Sequence, residues 1–326
     1  MRIEQTTETV ESVENTQVQT SEPVIKVSVS GTHHKVKAGD VVFRVCNALI
    51  MIIICVVTLY PVLNTLAISF NDGVDAVRGG VHLIPRMFTT TNYTTVLFKK
   101  SITTGAIVSV LRTVIGTLLA LCANALLAFV VAQKDFVFRS QLSLFWVITM
   151  YVNGGMIPTL LLFQMLHLTG TFWVYVIPGM ISGFNMLVMR TYMEGLPDSL
   201  TEAAQLDGAG YMTIFLKIIS PLCKPVYATV ALFVAVGQWN SWFDTMLYNR
   251  FSDQYTTLQY ELMKMLSAAT SLKGSTGANT NGEGVNITPV SVRSAATIIT
   301  MAPIVLLYPF LQRYFVTGLT IGGVKE

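Results

Sequence analysis

The 326-residue chain is 52% hydrophobic and only 12% charged, with a formal net charge of +3. Water-soluble domains carry about 25% charged residues, so an ordinary soluble domain is excluded. The net charge itself says little, because the placement of Lys and Arg matters more than their total, and no nucleic-acid partner is expected. The charges cluster at the N-terminus and between apolar runs, the pattern of an all-α protein that crosses a membrane repeatedly.

Residues 1–40 are polar, without a helical or strand period, and read as a mobile tail. Residues 41–326 then hold six apolar runs, at about Val45–Phe70, Thr104–Val131, Leu142–Leu166, Phe172–Met189, Val226–Leu247 and Ala295–Phe315. A helix rising 1.5 Å per residue needs about 20 residues to cross the hydrocarbon core, so six transmembrane helices are expected. Lys35, Lys37 and Arg44 precede the first run, Lys134 and Arg139 follow the second, Arg190 and Lys217 follow the fourth, and Arg313 and Lys325 come near the end. Placing these inside puts both termini in the cytoplasm. Arg78, Arg86, Lys99 and Lys100 oppose that bias from the segment 71–103. The segments near 71–103 and 249–290 are then outer loops. The second opens with YTTLQYELMKML, which suits a short helix, and turns Gly-rich after Ser271.

The inner segment 192–225 reads as two short helices joined at a corner. Ser199 and Glu202 have capping-box spacing, the Ser oxygen meeting an orphan N–H and the Glu reaching back. Leu200–Asp207 then forms about two turns, and Gly208 takes the left-handed angle that ends a helix. Tyr211, Ile214, Phe215 and Ile218 share one face of a second helix that Pro221 stops. Ala203 and Ala204 let this surface approach another closely, while Glu202 and Asp207 offer negative charge to a basic partner. A plain connecting loop lying in the membrane interface explains the same residues.

Polar side chains also occur inside the apolar runs: Asn124, Asn153, Asn185, and Gln238, Trp239, Asn240, Trp242 and Asp244 in GQWNSWFD. Unpaired polar groups are costly in hydrocarbon, so these face the bundle, a partner or water. Indole faces beside amides and a carboxylate suit a sugar path. They equally suit helix–helix hydrogen bonding with interfacial Trp anchoring.

No GxxxxGK[ST] stretch, CxxC or HExxH occurs, the four cysteines are scattered, and the His residues at 33, 34, 82 and 167 form no metal-binding spacing. No cofactor or metal site is expected in this chain, and no catalytic residue.

The run EAA at 202–204, with Gly208 four residues after its second Ala, resembles the EAA signature of membrane permease subunits of binding-protein-dependent ABC importers. NGGMIP (153–158), TFWVYVIPG (171–179), LPDSLTEAAQLDGA (196–209) and GLTIGGVKE (318–326) resemble the carbohydrate branch related to the maltose permeases. NYTTVLFK (92–99) and QRYFVTG (312–318) look like the lipoprotein/polysaccharide-type permeases. The resemblance covers about residues 38–326. It implies a type I importer transmembrane domain in a bacterial cytoplasmic membrane, with residues 199–220 docked in the groove of a separate ABC ATPase dimer that binds ATP and Mg. Ser199, Glu202, Ala203, Ala204, Asp207, Gly208, Tyr211 and Phe215 then couple to that ATPase. A second, homologous permease subunit and an extracytoplasmic sugar-binding protein are the further partners, with membrane lipid around the bundle. The solute implied is an oligosaccharide or polysaccharide fragment. A modified monosaccharide is the alternative, and an ATP-independent secondary transporter is the rival class.

Overall fold

The computed structural model describes residues 38–272 and 287–321, whose regular structure is helical apart from one β-bridge between Asn71 and Phe88. The remainder of the expected tail, the Gly-rich run and the last five residues lie outside the described residues. Two units divide at Cys55/Val56. The first is the N-terminal part of α1 (Ala38–Ser69), which already includes Ala38–Asp40 of the stretch read as a tail; all other elements belong to the second.

Three helices are long and apolar enough to cross a membrane: α1, α4 (Lys100–Ala132) and α14 (Pro289–Ile321). Two bent pairs qualify when each is taken as one span, giving up to five. The polytopic all-α architecture is therefore present, but six unbroken spans are not formed by the described residues.

Each break has a local cause. The third run is α5 (Arg139–Tyr151) and α6 (Met156–Met165), bent by 114°. Between them Asn153 Oδ1 takes the Gly155 N–H at 2.8 Å, and Gly155 sits at φ 86°. The fourth run is a 3-10 turn at Phe172–Tyr175 followed by α7 (Gly183–Glu194). Pro178 lacks a donor and disfavours helix at the residue before it, so no single helix passes through VIPGMISG. The fifth is α11 (Lys224–Asn240), an extended Ser241, and α12 (Phe243–Tyr248).

The segment 71–103 folds locally around buried asparagines rather than staying open. It contains α2 (Gly73–Arg78), capped by Asp72, and α3 (Thr91–Leu97). Asn71 Oδ1 accepts from the Arg86 and Met87 N–H groups at 2.8 and 2.9 Å, and Asn92 Nδ2 donates to the Ser69 and Asn71 carbonyls.

The first half of the expected outer segment 249–290 is also packed inward. It forms α13 (Leu258–Leu272), which lies against α4 and α14. The contact is close because residue 105 is Gly: a Cβ there would lie 3.0 Å from the Leu258 nitrogen. Ser109 Oγ accepts from the Leu258 N–H at 2.9 Å, and Glu261, 3% exposed, accepts from Thr256 and pairs with Lys264. A polar-looking sequence thus buries Leu258 and Leu262 while satisfying its own carboxylate.

Candidate functional site

α8 covers Asp198–Leu206 and starts two residues earlier than the capping-box reading requires. Pro197 occupies the N-cap and no side chain caps the helix. Ser199 is therefore inside the first turn, not before it, and Glu202 does not reach back. The reason is Pro197: its fixed φ presets the entry to a helix. Asp198, favoured near the positive helix N-terminus, pairs with Lys134 at the end of α4.

Glu202 is exposed, with no hydrogen bond or ion pair among the described residues, and lines a cleft of about 280 Å³ with Lys134, Arg139, Glu194 and Gln205. Ala203 is exposed, whereas Ala204, 7% exposed, belongs to the core. Asp207 ends the helix and is exposed. Gly208 holds φ 78°, with its N–H on the Gln205 carbonyl and the Ala209 N–H on that of Ala204. This is the left-handed corner expected from the sequence, which a side chain adopts only at a cost of about 1–2 kcal/mol.

Beyond the corner, α9 (Tyr211–Ile214) runs through a π turn (Phe215–Ile219) into α10 (Ser220–Leu222). Pro221 does not stop the helix. The widened turn accommodates a proline ring that would otherwise collide with the carbonyl four residues back. The chain turns at Cys223 instead, bending 80° into α11, whose first turn contains Pro225.

The predicted face divides. Ile214 and Phe215 are buried, the Phe215 ring lying 5.1 Å from that of Phe129 on α4. Tyr211 is 51% exposed, and Leu206 (90%), Met212 (59%) and Leu216 (58%) join it on the surface. One side thus locks into a core built with Met186, Met189 and Met193 of α7, while the other presents apolar groups that the described residues leave exposed.

The segment is also tied down electrostatically. Glu194 pairs with Arg139 of α5 and with Arg190, whose Nε lies 2.8 Å away; Arg190 also reaches Ser143. Burial opposes ionisation of Glu194, but the hydrogen bonds from Arg190 and Arg139 outweigh it and hold the carboxyl below its usual value.

The second group of sequence candidates lies in and around the apolar core. Asn124 is fully buried, its amide donating to the Ala120 and Met180 carbonyls and its oxygen accepting from the Ser182 N–H. Asn185 is buried in the first turn of α7, and Asn153 is exposed at the α5–α6 bend. Trp239 is buried and donates to the Thr300 carbonyl at 2.9 Å. Asn240 is exposed and accepts from Gln259, while Trp242 is half-buried and edge-on to Phe243.

Gln238 and Asp244 converge on a residue the sequence reading passed over. Arg112 of α4, 2% exposed, donates from Nε to Gln238 Oε1 at 3.0 Å and from Nη2 to Asp244 Oδ2 at 2.5 Å. Its Nη1 reaches Asp244 Oδ1 (3.3 Å) and the Ser241 carbonyl (3.4 Å), and the guanidinium lies 4.4 Å over the Tyr175 ring. The signal was available: Arg112 is the single charge in the run 104–131, and a lone ionisable group in such a run calls for a partner. Among the described residues no cluster of His, Cys, Asp and Glu is placed to hold a metal.

Residues 34–321 match the model of a family described as binding-protein-dependent transport system inner membrane component. Protein LplC of Bacillus subtilis (strain 168) is 34% identical over 297 residues, covering 90% of this chain and 98% of that one. The polygalacturonan/rhamnogalacturonan transport system permease protein YtcP of the same organism is 31% identical, with 85% and 95% covered. A chain from the crystal structure of a bacterial ABC transporter involved in the import of the acidic polysaccharide alginate superposes with a TM-score of 0.77 at 27% identity, covering 85% of this chain and 98% of that one.

Proposed function

The chain belongs to the family of binding-protein-dependent transport system inner membrane components, and on that premise we propose that it is the membrane subunit of an ATP-driven importer of oligosaccharides or polysaccharide fragments. The observation that carries this reading is the segment 198–216. Its inner side is fixed to α4, α5 and α7, while Glu202, Gly208, Tyr211 and Leu206 stand uncovered at its tip. Such a tip is shaped to enter the groove of another protein and to pass its movement to the bundle. With no phosphate-binding loop in the sequence, ATP and Mg belong to a separate ATPase dimer, and this subunit is not itself catalytic.

Under this reading Ser199, Glu202, Ala203, Asp207, Gly208 and Tyr211 touch the ATPase, whereas Ala204 and Phe215 act from behind, as the packing that supports them. Six crossings are made by α1, α4, the α5–α6 pair, the stretch from Phe172 to Met189, α11 with α12, and α14. Both termini are cytoplasmic. A second, related permease completes the pore, and an extracytoplasmic binding protein delivers the sugar. Asn153, Asn185, Asn240, Trp242 and Asp244 border the path, because their polar or aromatic groups are not all spent on partners among the described residues. Asn124, Gln238 and Trp239 support it from behind, through the hydrogen bonds they make to protein. The polymeric sugars named for YtcP and for the alginate transporter support the choice of solute class.

The test is to solubilise the tagged chain from its native membrane, identify what co-purifies, and assay ATP hydrolysis with and without sugar-loaded binding protein. An ATPase and a second permease, stimulated by one loaded binding protein, are expected. A chain that emerges alone under conditions that preserve such complexes overturns the reading.

A further inference from the structure

We propose that Arg112 is the positioning residue for the break in the fifth span, setting the direction in which Asn240, Trp242 and Asp244 face. The proposal rests on the permease reading only for what the break is used for, not for its geometry.

α11 ends at Asn240 and α12 begins at Phe243, with Ser241 extended between them at φ −73°, ψ 127°. A break of this kind leaves carbonyls at one helix end and N–H groups at the next without intrahelical partners. Inside an apolar bundle such ends need partners from elsewhere in the protein. Arg112 reaches across the gap. It binds Gln238 in the last turn of α11, the Ser241 carbonyl within the gap, and Asp244 in the first turn of α12. A cation suits the negative C-terminal end of α11, and a carboxylate suits the positive N-terminal end of α12. Asp244 Oδ1 also accepts the Thr245 N–H at 2.9 Å.

The bridge is fixed from behind as well. The guanidinium lies over Tyr175, whose carbonyl accepts from Gln238 Nε2 at 3.2 Å and whose hydroxyl donates to the Tyr255 carbonyl at 2.6 Å. Gly116, one turn after Arg112 on α4, makes room for the amide: a Cβ there would lie 3.0 Å from Gln238 Nε2. Charge balance alone does not require this arrangement. A lysine would neutralise Asp244 equally, but its compact ammonium lacks the planar fork that reaches Gln238, Ser241 and Asp244 together.

The experiment uses the full chain in lipid nanodiscs with whatever subunits co-purify. The four native cysteines are replaced by Ser and Trp242 by Cys. The rate at which a small, water-soluble maleimide labels residue 242 reports its surroundings without any sugar being present. Arg112→Lys keeps the charge and loses the fork, so the rate is expected to change by about fivefold or more. Gly116→Ala, which alters no charge, is expected to change the rate in the same direction by displacing Gln238. Labelling within about twofold of the parent in both variants overturns the proposal, because charge balance would then suffice. Monodispersity on size exclusion identifies any variant that has not folded, and the other variant then decides the outcome. Absence of an ATPase from the parent preparation would remove the importer reading and leave the labelling comparison intact.

Discussion

Asn124 holds the backbone at Met180 and Ser182 from both sides of one amide, Nδ2 donating to the Met180 carbonyl and Oδ1 accepting from the Ser182 N–H, each at 3.0 Å. This clamp fastens α4 to the stretch where Pro178 prevents a helix. Asn124→Ala leaves a buried N–H and a buried carbonyl unpaired, an expected loss of about 1–3 kcal/mol. The midpoint of heat-induced unfolding of the purified complex measures it, and an unchanged midpoint contradicts the clamp.

The Arg112–Asp244 pair predicts an unequal response to single and double substitution. Asp244→Leu strands a buried guanidinium and is expected to cost about 3–5 kcal/mol, while Arg112→Leu with Asp244→Leu costs much less because no charge remains unpaired. The folded yields and unfolding midpoints of the single and the double variant form the comparison. A double variant as unstable as Asp244→Leu would mean that the charge is not what matters.

Glu202 makes no hydrogen bond or ion pair among the described residues that its removal would break. Glu202→Ala is expected to leave this subunit's stability within about 0.5 kcal/mol. It should reduce co-purifying ATPase about tenfold, equivalent to ~1.4 kcal/mol. Uptake that survives both Glu202→Ala and Gly208→Val would contradict a coupling role for the tip.

Acidification is expected to loosen the link between Arg139 and Glu194. The folded-state pKa of Glu194 is depressed, so its contribution is fully present above the ordinary glutamate value of about 4.3 and is lost as pH falls through the lower folded value. Glu194→Gln should therefore flatten that part of the stability–pH profile. An identical profile in the variant would assign the acid response to other groups.

Gly105 tests whether α13 belongs to the bundle. Gly105→Val places side-chain atoms against the Thr257–Leu258 backbone, where a Cβ already comes within 3.0 Å. Overpacking of this kind costs about 1–3 kcal/mol. Faster proteolysis near residue 258 is the expected sign, and unchanged proteolysis would place α13 outside the packed core.

The sequence conveys some of these features and conceals others for physical reasons. α1, α4 and α14 were legible because a membrane helix needs only length and apolarity, and Gly208 because few residues other than glycine take φ 78° at little cost. The capping assignment failed because Ser199 was weighed without Pro197, which fixes the helix start before any side chain can cap it. The helix of α13 was legible, but its inward packing was obscured by Gln259, Glu261 and Lys264, which look solvated until Glu261 finds Thr256. Arg112 stands out as the single charge in its apolar run, but its partner Asp244 lies 132 residues away, a pairing that no local pattern encodes. Run length likewise cannot distinguish a straight span from the sharply bent α5–α6 pair.

The bare tip around Leu206 bears on the life of the subunit before it assembles. A nine-tenths exposed leucine at the end of a helix, near exposed Met212 and Leu216, is the kind of apolar patch that chaperones and proteases act on. If the ATPase covers this tip as proposed, a copy synthesised without that partner is expected to be removed. Its steady-state abundance should follow the supply of that partner, so the surface that transmits force would also regulate stoichiometry.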